Sequence, residues 1–165
     1  MSIDYKIEPV LQSDLDFILS LNQKSIPAVS SSSIEQLTYF LKISTYFRSI
    51  KVRDQIAGFL ICLMPGENYS SENYIWVNKS QHSFIYVDRI VIKEEFRNRG
   101  IGSFFYDHLA KRFSKKIKNI TCEVNIRPMN TQSMNFHLKY GFSEINRKNT
   151  ENGEKRVAYM SFKIR

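Results

Sequence analysis

Apolar residues recur along this chain at two spacings, every second position and every third to fourth, and the spacing switches repeatedly. Alternation from Ile3 to Val10 predicts a first strand. Gln12 to Asn22 predicts a helix, with Gln12 or Ser13 near its cap, Leu15, Ile18 and Leu21 on one face, and Ser25-Ile26-Pro27 breaking it. Past the serine run at 30–33, Ile34, Leu37, Phe40 and Leu41 mark a second amphipathic helix. Tyr46 to Val52 and Gln55 to Met64 read as a hairpin joined near Arg53-Asp54. Residues 65–80 are crowded with turn formers (Pro65, Gly66, Asn68, Ser70, Ser71, Asn73) and read as a loop carrying Trp76. A fourth strand follows over Phe84 to Ile92, a third helix over Gly102 to Ile117 and a fifth strand over Ile120 to Asn125. A short fourth helix fits between Asn130, a good N-cap, and Gly141, a good residue just past a helix end. Strands near Phe142–Arg147 and Arg156–Ile164, turned at Asn152-Gly153, close the chain. Strands with helices interleaved and a terminal hairpin predict an α/β fold, a mixed sheet of about six to seven strands with about four helices. Neither a repeat nor a linker is visible, and 165 residues read as one domain spanning 1–165.

The junction of the fourth strand and third helix carries the first chemistry. It reads Ile90-Val91-Ile92-Lys93-Glu94-Glu95-Phe96-Arg97-Asn98-Arg99-Gly100-Ile101-Gly102, an apolar strand running into an Arg-x-x-Gly-x-Gly turn. Glycines at 100 and 102 keep side chains away from the backbone amides. A helix beginning there adds unpaired N–H groups and a positive dipole end, and Arg97 and Arg99 add full charges suited to phosphate oxygens. The dinucleotide fingerprint does not fit, because position 105 is Phe where a third glycine is needed, and no Walker sequence is present.

A second block lies about 30 residues on: Asn130-Thr131-Gln132-Ser133-Met134-Asn135-Phe136-His137-Leu138-Lys139-Tyr140-Gly141-Phe142. Together the two blocks, from Phe84 to Phe142, resemble the acyl-CoA-binding core of the GNAT acetyltransferase superfamily. Leu21 to Val29 and Pro65 to Tyr69 resemble segments of a subgroup of predicted acetyltransferases in it. The resemblance implies a twisted mixed sheet splayed between the fourth and fifth strands, with acetyl-CoA as acyl donor in the splay. The backbone of Ile90, Val91 and Ile92 would then pair with the pantetheine arm, satisfying strand N–H and C=O groups. The pyrophosphate would rest on the turn Arg97, Asn98, Arg99, Gly100, Ile101, Gly102 and Ser103. Asn125 and Asn130 would reach the pantetheine, and Ser133, Phe136 and His137 would complete the cofactor set.

The same resemblance assigns catalytic candidates. His137 stands where the family often has a Tyr that protonates the departing thiolate. A histidine titrating near 6.5 can act as acid or base near neutrality. Ser133, one turn earlier, can orient it, and Tyr140, Tyr86 and Tyr106 are alternative acids. Asp88 and Glu123 flank the expected splay, and either can take a proton from an ammonium acceptor, directly or through water. Each is equally readable as the partner of a neighbouring cation such as Arg89. The acceptor would meet the segment Ser25–Ser33, Tyr74, Trp76 and the terminal hairpin.

Charge sharpens this picture. Residues 83–165 hold 17 Lys and Arg against 8 Asp and Glu, while residues 1–82 hold 7 against 8. The positive half carries both blocks, as a polyanionic ligand requires. Lys111, Arg112, Lys115, Lys116 and Lys118 keep nucleic-acid binding open as a competing reading, although at helical spacing they form a solvated face opposite Phe105, Leu109 and Phe113. Cys62 and Cys122 are isolated in predicted strands, which suits reduced thiols of a cytoplasmic protein. Asp4, Lys6 and Glu8 leave no signal-peptide apolar region, and no apolar run reaches membrane-spanning length. His82 and His108 lack metal-ligand spacing, so no metal is expected. The expected activity is acetyl transfer from acetyl-CoA to a primary amine of a small molecule or peptide, directly in a ternary complex. A homodimer is compatible, and a CoA-binding module without catalysis is the alternative.

Overall fold

The computed structural model describes residues 4–165, so Ile3 of the expected first strand lies outside it. Seven strands form one sheet in the order β1-β2-β3-β4-β5-β7-β6. They are β1 (Tyr5–Pro9), β2 (Tyr46–Val52), β3 (Gln55–Leu63), β4 (Phe84–Ile92), β5 (Asn119–Arg127), β6 (Ser143–Thr150) and β7 (Lys155–Lys163). Five α-helices are interspersed: α1 (Leu15–Gln23), α2 (Ile34–Ile43), α3 (Glu72–Ser80), α4 (Ile101–Phe113) and α5 (Thr131–Tyr140). The mixed α/β class and the strand count follow the sequence expectation, and the helix count exceeds it by one. Among the described residues no helix is long and apolar enough to cross a membrane.

The extra helix is α3, where the sequence reads as a loop. Ser71, one of the turn formers, is its N-cap, with Oγ accepting from the Tyr74 N–H at 3.4 Å. Only Tyr74 and Val77 are buried along its nine residues, too few to write a helical period. The other expected helix starts are closer. Ser33 Oγ caps α2 by accepting from the Gln36 N–H at 3.1 Å, and α4 stops at Phe113, short of Ile117.

The chain divides into two compact units. The first comprises Met1–Leu63 and Asp88–Lys111. In it β1, β2 and β3 run antiparallel in succession. The β2–β3 turn places Arg53 (φ 49°) and Asp54 (φ 63°) in the left-handed region, the geometry of a two-residue hairpin turn. Leu15, Ile18, Leu37, Phe40, Ile50, Phe59, Phe105 and Leu109 supply buried apolar side chains. The register of β2 against β3 shifts between Ile50 and Lys51. Beside that shift the Lys93 N–H donates to the Ala57 carbonyl at 2.8 Å. Gly58 follows, with Val91 and Ile92 packed against it so closely that a Cβ would collide with the Val91 carbonyl oxygen.

The second unit comprises Met64–Val87 and Arg112–Arg165. Here β4 pairs parallel with β5 over Phe84–Tyr86 against Asn119–Thr121. β5 pairs antiparallel with β7, and β7 with β6. Tyr74, Val77, Phe84, Tyr86, Ile120, Val124, Tyr159 and Met160 are buried. Because backbone at Val91 cannot recede from a side chain at 58, Gly58→Ala is expected to lower stability by about 1–3 kcal/mol. A thermal melt reading a drop of several degrees checks this.

Candidate active site

In the first unit, β4 ends at Ile92 and the chain passes through a short 3-10 turn, Glu94–Phe96, before the glycine turn. Arg97 folds back on the strand, its Nε donating to the Ile92 carbonyl at 2.9 Å. Asn98 (φ 59°) and Gly100 (φ 78°) are left-handed, on either side of Arg99. Left-handed positions of this kind are used in backbone turns that gather amides around an anion. The first helical bond of α4 runs from the Phe104 N–H to the Gly100 carbonyl at 3.0 Å, so the amides of Ile101, Gly102 and Ser103 precede the helical ladder. Tyr5 on β1 donates its hydroxyl to the Arg99 carbonyl at 2.9 Å and its ring meets Phe104. The Arg99 guanidinium lies over the Phe96 ring at 5.7 Å, keeping its charge beside the turn. These groups fit a pyrophosphate.

The short helix α5 lies in the second unit. The Asn130 N–H donates to the Asn125 carbonyl at 2.9 Å, and the Asn130 side chain caps the helix by accepting from the Ser133 N–H at 3.1 Å. Asn125, Asn130, Ser133 and His137 therefore belong to one continuous structure. His137 is 2 % exposed. Its Nδ1 sits 2.7 Å from the Ser133 carbonyl and 3.3 Å from Ser133 Oγ. A nitrogen bound to a carbonyl must carry the proton, so it cannot serve as base toward the Ser133 hydroxyl. The Phe136 and Phe142 rings stand edge-on to the imidazole, each with centroids 5.0 Å away. Burial pushes the pKa down to about 4, against a smaller upward pull from the Ser133 carbonyl. The imidazole thus titrates below the ordinary value near 6.5 and is neutral at pH 7.

The two candidate carboxylates have different surroundings. Asp88, in the first unit, accepts from Arg89 Nε at 2.7 Å, with the two side chains 4 % and 2 % exposed. Arg89 also donates to Asn22 Oδ1 at 2.9 Å and to the Ser30 carbonyl at 3.3 Å, and lies over the Phe40 ring. A buried guanidinium needs such partners, so Asp88 is engaged as a counter-ion, the second of the two readings that its sequence position allows. The same node ties α1 to the segment before α2, because Asn22 Nδ2 also donates to the Ser30 carbonyl at 3.0 Å. Glu123, in the second unit, is half-buried and receives neutral donors. The Tyr86 hydroxyl lies 2.9 and 2.8 Å from its two oxygens, and Asn73 Nδ2 donates to Oε1 at 3.1 Å.

Several of these residues escape sequence reading. Asn73 sits in a stretch whose sequence reads as a loop, and the partnership of Asn22 and Ser30 with Arg89 spans 67 and 59 positions. Tyr74, expected near the acceptor, is 1 % exposed and donates to the Met64 carbonyl at 2.6 Å. Trp76 stacks on Tyr159 with centroids 4.1 Å apart. Among the described residues no group of three or more His, Cys, Asp and Glu side chains could hold a metal ion.

Two outcomes are expected. Asp88→Ala strands the buried Arg89 charge and should cost about 3–5 kcal/mol in a denaturant melt. For His137, the folded pKa lies below the unfolded value near 6.5, so its neutral burial contributes stability at high pH that is lost as pH falls toward 4. The loss should reach about 3 kcal/mol by pH 4. His137→Gln should flatten that part of the stability profile.

The architecture and chemistry converge with known proteins. The sequence model of the acetyltransferase (GNAT) family matches residues 16–142. No curated protein matches the chain by sequence. Ard1 of Thermoplasma volcanium superposes with a TM-score of 0.78 at 15 % identity, covering 98 % of both chains. NAA60 of Arabidopsis thaliana, solved with a bisubstrate analogue, gives 0.78 at 14 % identity over 97 % of this chain and 98 % of that one. A GNAT acetyltransferase of Elizabethkingia anophelis with acetyl-CoA bound gives 0.66 at 16 % identity over 96 % and 97 %. The chain belongs to the GNAT family and is an acetyl-CoA-dependent acetyltransferase.

Proposed function

We propose that the enzyme acetylates a primary amine of a small molecule or peptide, by direct transfer in a ternary complex, and that residues 1–165 serve as one N-acyltransferase domain. The observation that carries the reading is the left-handed pair Asn98 and Gly100 ahead of α4, with Arg97 and Arg99 alongside. In this reading the amides of Asn98 to Ser103 hold the pyrophosphate of acetyl-CoA. The backbone of Ile90, Val91 and Ile92 pairs with the pantetheine arm, and Asn125, Asn130, Ser133 and Phe136 line its thiol end. Bound acetyl-CoA supplies an activated thioester carbonyl.

The chain's own groups then do the rest. Backbone N–H near Ile90 polarises the carbonyl, and fixed positioning supplies most of the rate. Glu123 takes the ammonium proton, its half-buried carboxylate oriented by the Tyr86 hydroxyl and the Asn73 amide. His137 acts as a neutral imidazole that shapes the thiol end. Two buried cysteines, Cys62 and Cys122, suit a reducing, cytoplasmic setting.

The test begins with thermal shifts in acetyl-CoA, CoA and ATP. Both CoA species at about 100 times the dissociation constant should stabilise the protein by roughly 2.7 kcal/mol, a shift of several degrees that ATP does not reproduce. An amine and peptide panel then seeks turnover, and Glu123→Gln should lower kcat by about 10²–10⁴. CoA binding without turnover on any acceptor would turn the reading into a non-catalytic module. Salt-sensitive nucleic-acid binding that CoA leaves untouched would replace it.

A further inference from the structure

Helix α3 delivers one polar side chain, Asn73, whose amide is engaged at both ends. Its Nδ2 donates to Glu123 Oε1 at 3.1 Å, and its Oδ1 accepts from the Tyr159 hydroxyl at 2.8 Å. An amide has one donating and one accepting end, so whatever fixes one fixes the other. Tyr159 is fully buried in β7, directly opposite Glu123 in the β5–β7 register. Burial, followed by the charges of Glu123 and Glu72, holds its phenol well above the usual tyrosine range, so it remains a donor. The accepting end of Asn73 must therefore face Tyr159, and the donating end must face Glu123. Trp76, three residues further along α3, stacks on the Tyr159 ring with an interplanar angle of 13°. One helix thus supplies the amide and braces the phenol that orients it.

We propose that Asn73 is a positioning residue for the Glu123 carboxylate: it selects the side-chain orientation and, with Tyr86, favours the ionised form. The inference rests on the reading of Glu123 as the base. Titratable groups near that carboxylate include Tyr86 on β4, Tyr159 on β7 and Cys122 beside it on β5, and Glu72 on α3 acts on Tyr159. Cys122 is kept protonated, its thiol pushed up by burial and then by the Glu123 charge. Asn73 donates a neutral hydrogen bond to the ionised carboxylate, so its loss raises the proton affinity of Glu123.

The experiment is a titration of Glu123 by 13C-carboxyl NMR in the full chain, with the resonance assigned by its absence in Glu123→Gln. Asn73→Ala should raise the Glu123 pKa by about one unit, the equivalent of one charge-assisted hydrogen bond. Asn73→Asp puts a second carboxylate in the same place and should raise it further. Tyr159→Phe leaves Asn73 present but releases its orientation, and should give a smaller rise; it serves if an Asn73 variant fails to fold. The acid limb of kcat/KM, read with the acceptor found in the amine panel, should move to higher pH by the same amount. An unmoved Glu123 pKa in all three variants overturns the proposal. A moved pKa combined with wild-type turnover in Glu123→Gln overturns the base reading instead, and the positioning role in catalysis falls with it.

Discussion

Successive residues of a β-strand present side chains to alternate faces while the backbone runs straight, and β4 puts that constraint to use along its whole length. Its first three residues pair with β5, and one of them, Tyr86, holds the Glu123 carboxylate. Further along, Arg89 shares the buried alternation with Val87 and Val91 and gathers Asp88, Asn22 and Ser30 around its charge. At the end, the Ile92 carbonyl receives Arg97 and starts the turn that opens α4. Gly58 lets β3 approach this strand so closely that no other residue would fit beside Val91.

The two carboxylates near β4 show how surroundings divide chemically identical groups. Asp88 faces a buried guanidinium, and separating that pair would leave a charge without compensation. Its work is to hold Arg89, and through Asn22 and Ser30 to hold the segment between α1 and α2. Glu123 instead receives hydrogen bonds from the Tyr86 hydroxyl and the Asn73 amide. His137 follows the same logic from the other side. Burial among aromatic rings keeps it neutral through the physiological range, outweighing the opposite pull of the carbonyl on Nδ1.

The glycine turn and the capped helix were legible because they are local: Gly100, Gly102, Asn130 and Gly141 act within a few residues of their own position. The strands were legible because alternation is a short-range pattern, and β2, β3 and β4 lie within a residue of their expected limits. Helix α3 was not legible. Its cap, Ser71, also reads as a turn former, and its two buried residues set no period. Tyr74, expected at the acceptor, instead closes its own loop through the Met64 carbonyl.

By itself, then, the amino-acid sequence determined the mixed α/β class, the glycine turn and the family, because these rest on contiguous residues with special backbone freedom or regular spacing. Only the tertiary structure decided which side chains carry charge and which surrender it. The partners of Arg89 lie up to 67 positions away and those of Glu123 37 and 50. Burial of His137 depends on rings brought together by folding. A pKa responds to distance in space and to the water excluded there, and neither is written in the order of the residues.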